Sequence, residues 1–243
     1  MSKTYVISDL HGRFDLLQKA IAAIEEQAPH SGKHTIITTG DYIDRGLESA
    51  QVLTYLMNYK SDRFTMINLR GNHDEMLVDA SQGHGGRFWC THNGGDATMF
   101  SYGQKVDQLF DWGLIPDHHV AWVKSLPYYY EDAHRVYVHA GIKDPQLPLD
   151  AQSKDRMVWM RYTDYPQEMD FHYKGKHIVH GHESYEDGPK FWVGRTCLDT
   201  CAFWTGRLVV GVFDDDKQGS YTSSITIQGP TYTELARSRQ GAL

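Results

Sequence analysis

Asp9 and His11, Asp41 and Asp44, and Asn72 and His73 each follow a short apolar run in the first third of the chain, and His139 and His182 follow two more. Carboxylate, amide and imidazole donors with no thiolate among them suit Mn²⁺, Fe or Zn²⁺ held for chemistry rather than a structural zinc. Asp9 and His11 are two residues apart on extended chain, so both project to one side. Asp9, His11, Asp41, Asn72, His139 and His182 are too many ligands for a single ion that must keep open positions. They suit two ions about 3.5–4 Å apart that share a bridging carboxylate, the recurring device for phosphate-ester hydrolysis.

The elements that must deliver these groups can be read from pattern. Strands are expected at Thr4-Tyr5-Val6-Ile7, at 34–39 and at 64–69, each ending in polar residues at the carboxyl edge of a sheet, where sites assemble in open α/β folds. Phe14, Leu17, Ile21 and Ile24 make one face of a first helix, and Val52, Leu56 and Tyr59 align on a second. Asn72-His73-Asp74 reads as a loop before a third helix around Glu75 to Ala80. This β-α-β-α-β rhythm predicts an α/β sheet with a parallel part. Residues 81–104 read as loop, 116–125 as helix, 135–138 as strand, and 142–174 as a long ordered excursion rich in aromatics, among them Tyr165 beside Pro166. Strands at 176–179, 195–203, 208–213 and 224–228, with turns such as Asp215-Asp216-Lys217-Gln218-Gly219, imply a second, antiparallel sheet. No repeat or linker interrupts the 243 residues, which read as one domain with a weakly held tail over about 229–243.

Composition narrows the function. The chain is 40% hydrophobic and 23% charged, an ordinary soluble balance, and its net charge of -7 offers no basic field for nucleic acid. No apolar stretch reaches the roughly 20 residues that cross a bilayer, and Met1-Ser2-Lys3 runs straight into a strand without a signal segment. Cys90, Cys197 and Cys201 are odd in number and lack Cys-x-x-Cys spacing, so they read as reduced thiols in a cytoplasm.

The pieces Asp9-Leu10-His11-Gly12, Gly40 to Gly46, Gly71-Asn72-His73-Asp74, His139-Ala140-Gly141 and His180-Gly181-His182-Glu183, in this order, resemble the phosphoprotein phosphatase branch of the calcineurin-like metallophosphoesterases, and most of all the bacterial and phage lambda-type Ser/Thr phosphatases. The likeness covers roughly residues 4 to 205. It implies a β-sandwich of two mixed sheets flanked by helices, and two divalent ions, Mn²⁺ first. Asp9, His11 and Asp41 would hold one ion; Asn72, His139 and His182 would hold the other, with Asp41 bridging. It also implies a metal-bridging hydroxide as nucleophile and His73 as the general acid, oriented by Asp44. Arg45 and Arg161 would grip the phosphate, as guanidinium forks do. The implied substrates are phosphorylated Ser, Thr or Tyr in proteins or peptides, or small phosphate esters.

Three departures bear on substrate. Asp74 stands where phosphoprotein phosphatases usually carry Glu, a variant shared with symmetrical diadenosine tetraphosphatases, which are the alternative function. Those relatives commonly lack the Asp of Asp-Arg-Gly, which is intact here as Asp44. Ser184 occupies the place where phosphodiesterase-type cousins carry a last metal-binding His, and His139-Ala140-Gly141 differs trivially from the usual His-Gly-Gly. Elsewhere His84, His92, His118, His119, His172 and His177 read as loop or surface residues, and His180 as packing. Trp89, Trp112 and Trp122 read as core, Asp199 reads equally as site support or a turn, and Asn93-Gly94-Gly95-Asp96 equally as groove lining or a turn.

Overall fold

The computed structural model describes residues 2–105, 111–164 and 171–240. Lys3–Ile7 (β1), His34–Thr38 (β2) and Phe64–Asn68 (β3) are strands. Between them Phe14–Gln27 (α1) buries Leu17, Ala20, Ile21 and Ile24, and Ser49–Asn58 (α2) buries Val52, Leu53 and Leu56. β1 pairs with β2, and β2 with β3, in parallel, as the rhythm of the sequence predicts.

The third helix departs from expectation. Asn72–Ser81 (α3) takes Asn72, His73 and Asp74 into its first turn, because Asp74 folds back to accept the Gly71 N–H at 2.8 Å. The stretch expected as loop holds two helices, Gly86–His92 (α4) and Gly95–Ser101 (α5). Each starts after a left-handed glycine, Gly85 at φ 64° and Gly94 at φ 80°. Seven-residue helices are marginal alone, and burial of Trp89 and Met99 supplies what local sequence lacks.

Asp117–Ser125 (α6) leads into Tyr129–Glu131 (β4), a strand with no sequence expectation, and then Arg135–Val138 (β5). The following excursion contains Lys154–Trp159 (α7) and packs Met157, Met160, Tyr162, Phe171 and Tyr173 into a buried cluster with Val136, Val138 and Ile178. Tyr165 and Pro166 of that excursion lie outside the described residues. The chain continues with His177–His180 (β6), Lys190–Trp192 (β7) and Arg195–Cys197 (β8), then Ala202–Thr205 (α8). The strand expected to run to Phe203 stops at Cys197, because Asp199 accepts the Cys201 N–H at 2.8 Å and turns the chain, with Cys201 at φ 55°.

Arg207–Asp214 (β9) and Ser223–Gln228 (β10) form the expected antiparallel hairpin, but it does not build a second sheet. β9 adds to the free edge of β1, giving the order β10-β9-β1-β2-β3, while the second sheet is mixed, in the order β4-β5-β6-β8-β7. The continuous burial of Leu208 to Phe213 fits an inner strand covered on both faces. Side-chain alternation separates the layers. Val6, Ile37, Tyr137, Val179 and Phe213 meet between the sheets, whereas Tyr5, Ile7 and Ile36 face the helices. This is the expected α/β sandwich of two mixed sheets flanked by helices.

Beyond Pro230, where a weakly held tail was expected, Tyr232–Gln240 forms a helix (α9), and Tyr232 stacks on Trp204 at 5.2 Å. Residues 241–243 lie outside the described residues. Among the described residues no helix is long and apolar enough to cross a membrane.

Candidate active site

The loops that follow β1, β2, β3, β5 and β6 meet at one edge of the sandwich. Backbone conformation there is unusual: His11, Asp41, Asp44, Arg45 and His182 all have positive φ, between 43° and 74°. Non-glycine residues held there store strain, which clusters at functional sites. Two glycines allow the loops to close. A Cβ on Gly71 would stand 2.2 Å from Asp41 Oδ1, and one on Gly181 would stand 2.0 Å from Asp9 Oδ2. The edge encloses a cavity of about 260 Å³ bordered by Asp9, His11, Asp41, Arg45, Asn72, His73, His182 and Arg161. Asn93, Trp159, Ser184 and Asp199 complete its wall.

Two overlapping groups of side chains could hold metal ions, and both contain Asp41: His11 with Asp41 and His73, and Asp41 with His139 and His182, all ligand atoms of a group lying within 4.8 Å of one another. Asp41 Oδ2 is 3.5 Å from His11 Nε2, and its Oδ1 is 3.5 Å from His139 Nε2, so its two oxygens face two groups. Backbone carbonyls set the tautomers. His11 Nδ1 lies 2.8 Å from Ile43 O and His139 Nδ1 lies 2.9 Å from Thr39 O, which turns each Nε2 lone pair inward. Asn72 Oδ1 sits 2.8 Å from His139 Nε2 and 3.0 Å from His182 Nδ1. His182 Nε2 is buried with no hydrogen-bond partner among the described residues. Asp9 borders the cavity outside either group; its carboxylate accepts the His182 N–H and the Ser8 hydroxyl.

The electrostatics fit cations. Burial pushes the His11 and His139 imidazoles below their ordinary range and His182 down to about 2, which keeps their lone pairs free for a metal. Burial also pushes Asp41 well above the usual carboxylate range, against the pull of His73, with Asp9 and Asp74 adding to the rise. An orphaned imidazole nitrogen and buried carboxylates crowded among oxygen donors are a donor set that divalent ions complete.

His73 and Asp44 form the closest histidine–carboxylate pair at the site. His73 Nδ1 donates to Asp44 Oδ2 at 2.6 Å, and both side chains are buried. Arg45 reaches His11 Nε2 at 2.8 Å and His73 Nε2 at 3.1 Å, with its guanidinium 4.9 Å over the Phe203 ring. Arg161 borders the same cavity. Its turn is fastened by Glu183, whose Oε1 accepts from Thr163 N at 3.0 Å and Thr163 Oγ1 at 3.1 Å. The structure thus brings all ten residues singled out by the sequence to one edge.

Sequence reasoning missed the supports of Asp44. Trp89, read as core, is 1% exposed, yet its Nε1 donates to Asp44 Oδ2 at 2.6 Å, and Thr98 Oγ1 donates to Asp44 Oδ1 at 2.7 Å. No local pattern marks either residue. Gly94 accepts the Arg45 N–H at 3.1 Å, which ties the Asn93-Gly94-Gly95-Asp96 turn to the site. Asp199 accepts from Ser184 Oγ at 2.6 Å and is pushed up to about 7 by burial and then by Asp9. Of the histidines set aside, none borders the cavity. His119 and His177 are buried, bonded to Tyr102 and Thr196, and His180 is packed beneath Arg195. Trp89→Phe removes one N–H donor and little volume, so we expect turnover to fall about 10–100-fold, the usual cost of losing an outer support, with metal content and melting behaviour kept. Wild-type turnover in that variant would count against Trp89 as a support of Asp44.

Asp74, the departure that pointed toward tetraphosphatases, is fully buried and turns away from the cavity. It accepts from Asp41 N at 2.8 Å, Tyr42 N at 3.1 Å and Gly71 N at 2.8 Å, and burial still pushes it up to about 6. Its work is to brace two loops.

Comparison with known proteins agrees with this geometry. Residues 2–210 match the family described as calcineurin-like phosphoesterase. The chain is similar to a serine/threonine-protein phosphatase 2 of Escherichia coli, with 28% identity over 136 residues, 55% of this chain and 58% of that protein. It is also similar to a symmetrical bis(5'-nucleosyl)-tetraphosphatase of Actinobacillus succinogenes, with 28% identity over 166 residues, 67% of this chain and 53% of that protein. The chain therefore spans little more than half the length of these two relatives. A solved structure named provisionally as a diadenosine tetraphosphatase superposes with a TM-score of 0.67 at 20% identity, covering 94% of each chain, a likeness of fold alone. With 2–210 matched by one family, and with that family's sandwich and polar edge in the structure, the chain belongs to the calcineurin-like phosphoesterases.

Proposed function

We propose that the protein is a metal-dependent phosphomonoesterase of the phosphoprotein phosphatase branch, acting on phosphorylated Ser, Thr or Tyr in proteins or peptides. The observation that carries this reading is the buried Asp44–His73 pair at 2.6 Å, with His73 bordering the cavity beside Arg45. Asp9, His11 and Asp41 would hold one ion, and Asn72, His139 and His182 the other; three oxygen donors and three imidazoles suit Mn²⁺, Fe or Zn²⁺, of which the resemblance puts Mn²⁺ first. Bound there, the ions would supply a nucleophilic water at neutral pH and shield phosphoryl charge. Arg45 and Arg161, which border the same cavity, hold the phosphoryl oxygens. His73, its Nδ1–H held by Asp44, gives up the Nε2 proton of its imidazolium to the departing alkoxide and is left as the neutral ring protonated on Nδ1. One catalytic domain belongs to the same reading. So does a cytoplasmic setting, supported by three cysteines that remain thiols.

The likeness to a tetraphosphatase keeps a dinucleotide substrate in view. Two considerations favour the monoester. Asp74 does not border the cavity, so its identity carries no direct substrate preference. A terminal phosphoryl group offers three free oxygens to two arginines, whereas internal phosphorus atoms of a dinucleotide offer fewer and release a weakly basic leaving group. We expect kcat/KM for a phosphopeptide or an aryl phosphate under Mn²⁺ to exceed that for diadenosine tetraphosphate. A dinucleotide preference of about tenfold, or about 1.4 kcal/mol in the transition state, would overturn the monoester assignment.

A further inference from the structure

A second cavity, of about 380 Å³, adjoins the first, and Arg45 borders both. It opens between α1, the Gly46-Leu47-Glu48 loop and α9. Its lining is largely apolar: Leu47 and Tyr232 are 38% and 44% exposed, and the half-buried Phe203 and Leu235 stand beside them. Large apolar side chains left open to water beside a cavity mark a binding surface more often than loose packing. The floor is fastened, because buried Arg13 donates to Ala202 O at 3.0 Å and Pro230 O at 2.9 Å and pairs with Asp15 at 2.8 Å. Arg45 is the shared wall, and Phe203 lies behind it in the second cavity. The Phe203 ring lies 5.6 Å from that of His11 and beneath the Arg45 guanidinium, so the second cavity begins one side chain away from a phosphoryl group held by Arg45.

We propose that this cavity is a subsite for the apolar or aromatic part of the substrate's leaving group, with α9 as its outer wall. The inference rests on the phosphomonoesterase reading and adds a substrate class: esters whose phosphate is flanked by an aromatic or aliphatic group. The volume lies within the range of small-ligand pockets. The family match ends at residue 210, whereas α9 begins at Tyr232, so the outer wall of the cavity lies beyond the matched core.

The test is binding of inorganic phosphate, methylphosphonate, phenylphosphonate and biphenyl-4-ylphosphonate to the Mn²⁺-loaded full chain by calorimetry. Biphenyl-4-ylphosphonate should bind at least about tenfold tighter than methylphosphonate, the gain expected from burying an aryl group. Leu235→Arg should erase that advantage and leave methylphosphonate binding unchanged. Leu47→Arg should do the same from the opposite wall, which guards against a variant that merely loosens α9. Equal affinities across the phosphonates would overturn the subsite, as would an advantage that survives both variants. An advantage lost instead in Trp159→Ala would place the apolar group on the other rim and overturn it as well. Failure of inorganic phosphate and every phosphonate to bind would bring down the phosphomonoesterase reading itself, and this inference with it.

Discussion

Asp41→Asn should reduce turnover by about 10³-fold or more, because it withdraws a charge from both metal positions at once, and charge stabilisation by such ions is worth several kcal/mol. The substitution is nearly isosteric. It retains an oxygen to accept the His73 backbone N–H, now 2.9 Å from Asp41 Oδ1, so the start of α3 should survive. What changes is the pairing of one carboxylate oxygen toward His11 and the other toward His139, each at 3.5 Å. An amide presents only one oxygen, and its NH₂ would oppose a cation on the other side. Metal analysis of the purified variant should therefore fall below the wild-type stoichiometry, while the unfolding midpoint of the apo-protein stays near that of the wild type. Full metal content with activity within about tenfold of wild type would remove Asp41 from its bridging position.

Much of this site was legible because its residues obey a local rule. Asp9, Asp41, Asn72, His139 and His182 each follow an apolar run, and a run that stops abruptly in a ligand-type residue announces both the strand and its functional end. The supports of the site obey no such rule. Trp89 reaches Asp44 across 45 positions of sequence and Thr98 across 54, from short helices whose polar, glycine-containing sequences resemble loop until tertiary contacts fold them. The hairpin β9-β10 had the same limit. Its short turn announced antiparallel pairing, but which edge it would join depends on β1 presenting a free one. Asp74 shows the converse hazard: a motif residue that seemed to report on substrate braces backbone instead.

His73→Asn should separate two roles that the geometry allows His73. As a general acid through Nε2, it would matter in proportion to how badly the leaving group needs a proton. Turnover of an alkyl phosphate should then fall about 10²–10⁴-fold, the usual worth of such catalysis. Nitrophenyl phosphate, whose departing phenolate is stable unprotonated, should lose far less. Yet His73 Nε2 also lies 4.0 Å from Asp41 Oδ2, in one of the two groups that could hold an ion. A ligand role predicts something different: metal content should drop, and both substrates should suffer alike. The contact with Asp44 serves either role. A carboxylate at 2.6 Å holds the Nδ1–H of an acid's ring, and it would orient a metal-binding ring in the same way. Retained metal with a steep dependence on leaving group would assign His73 to proton delivery, and lost metal with a flat dependence would assign it to the metal centre.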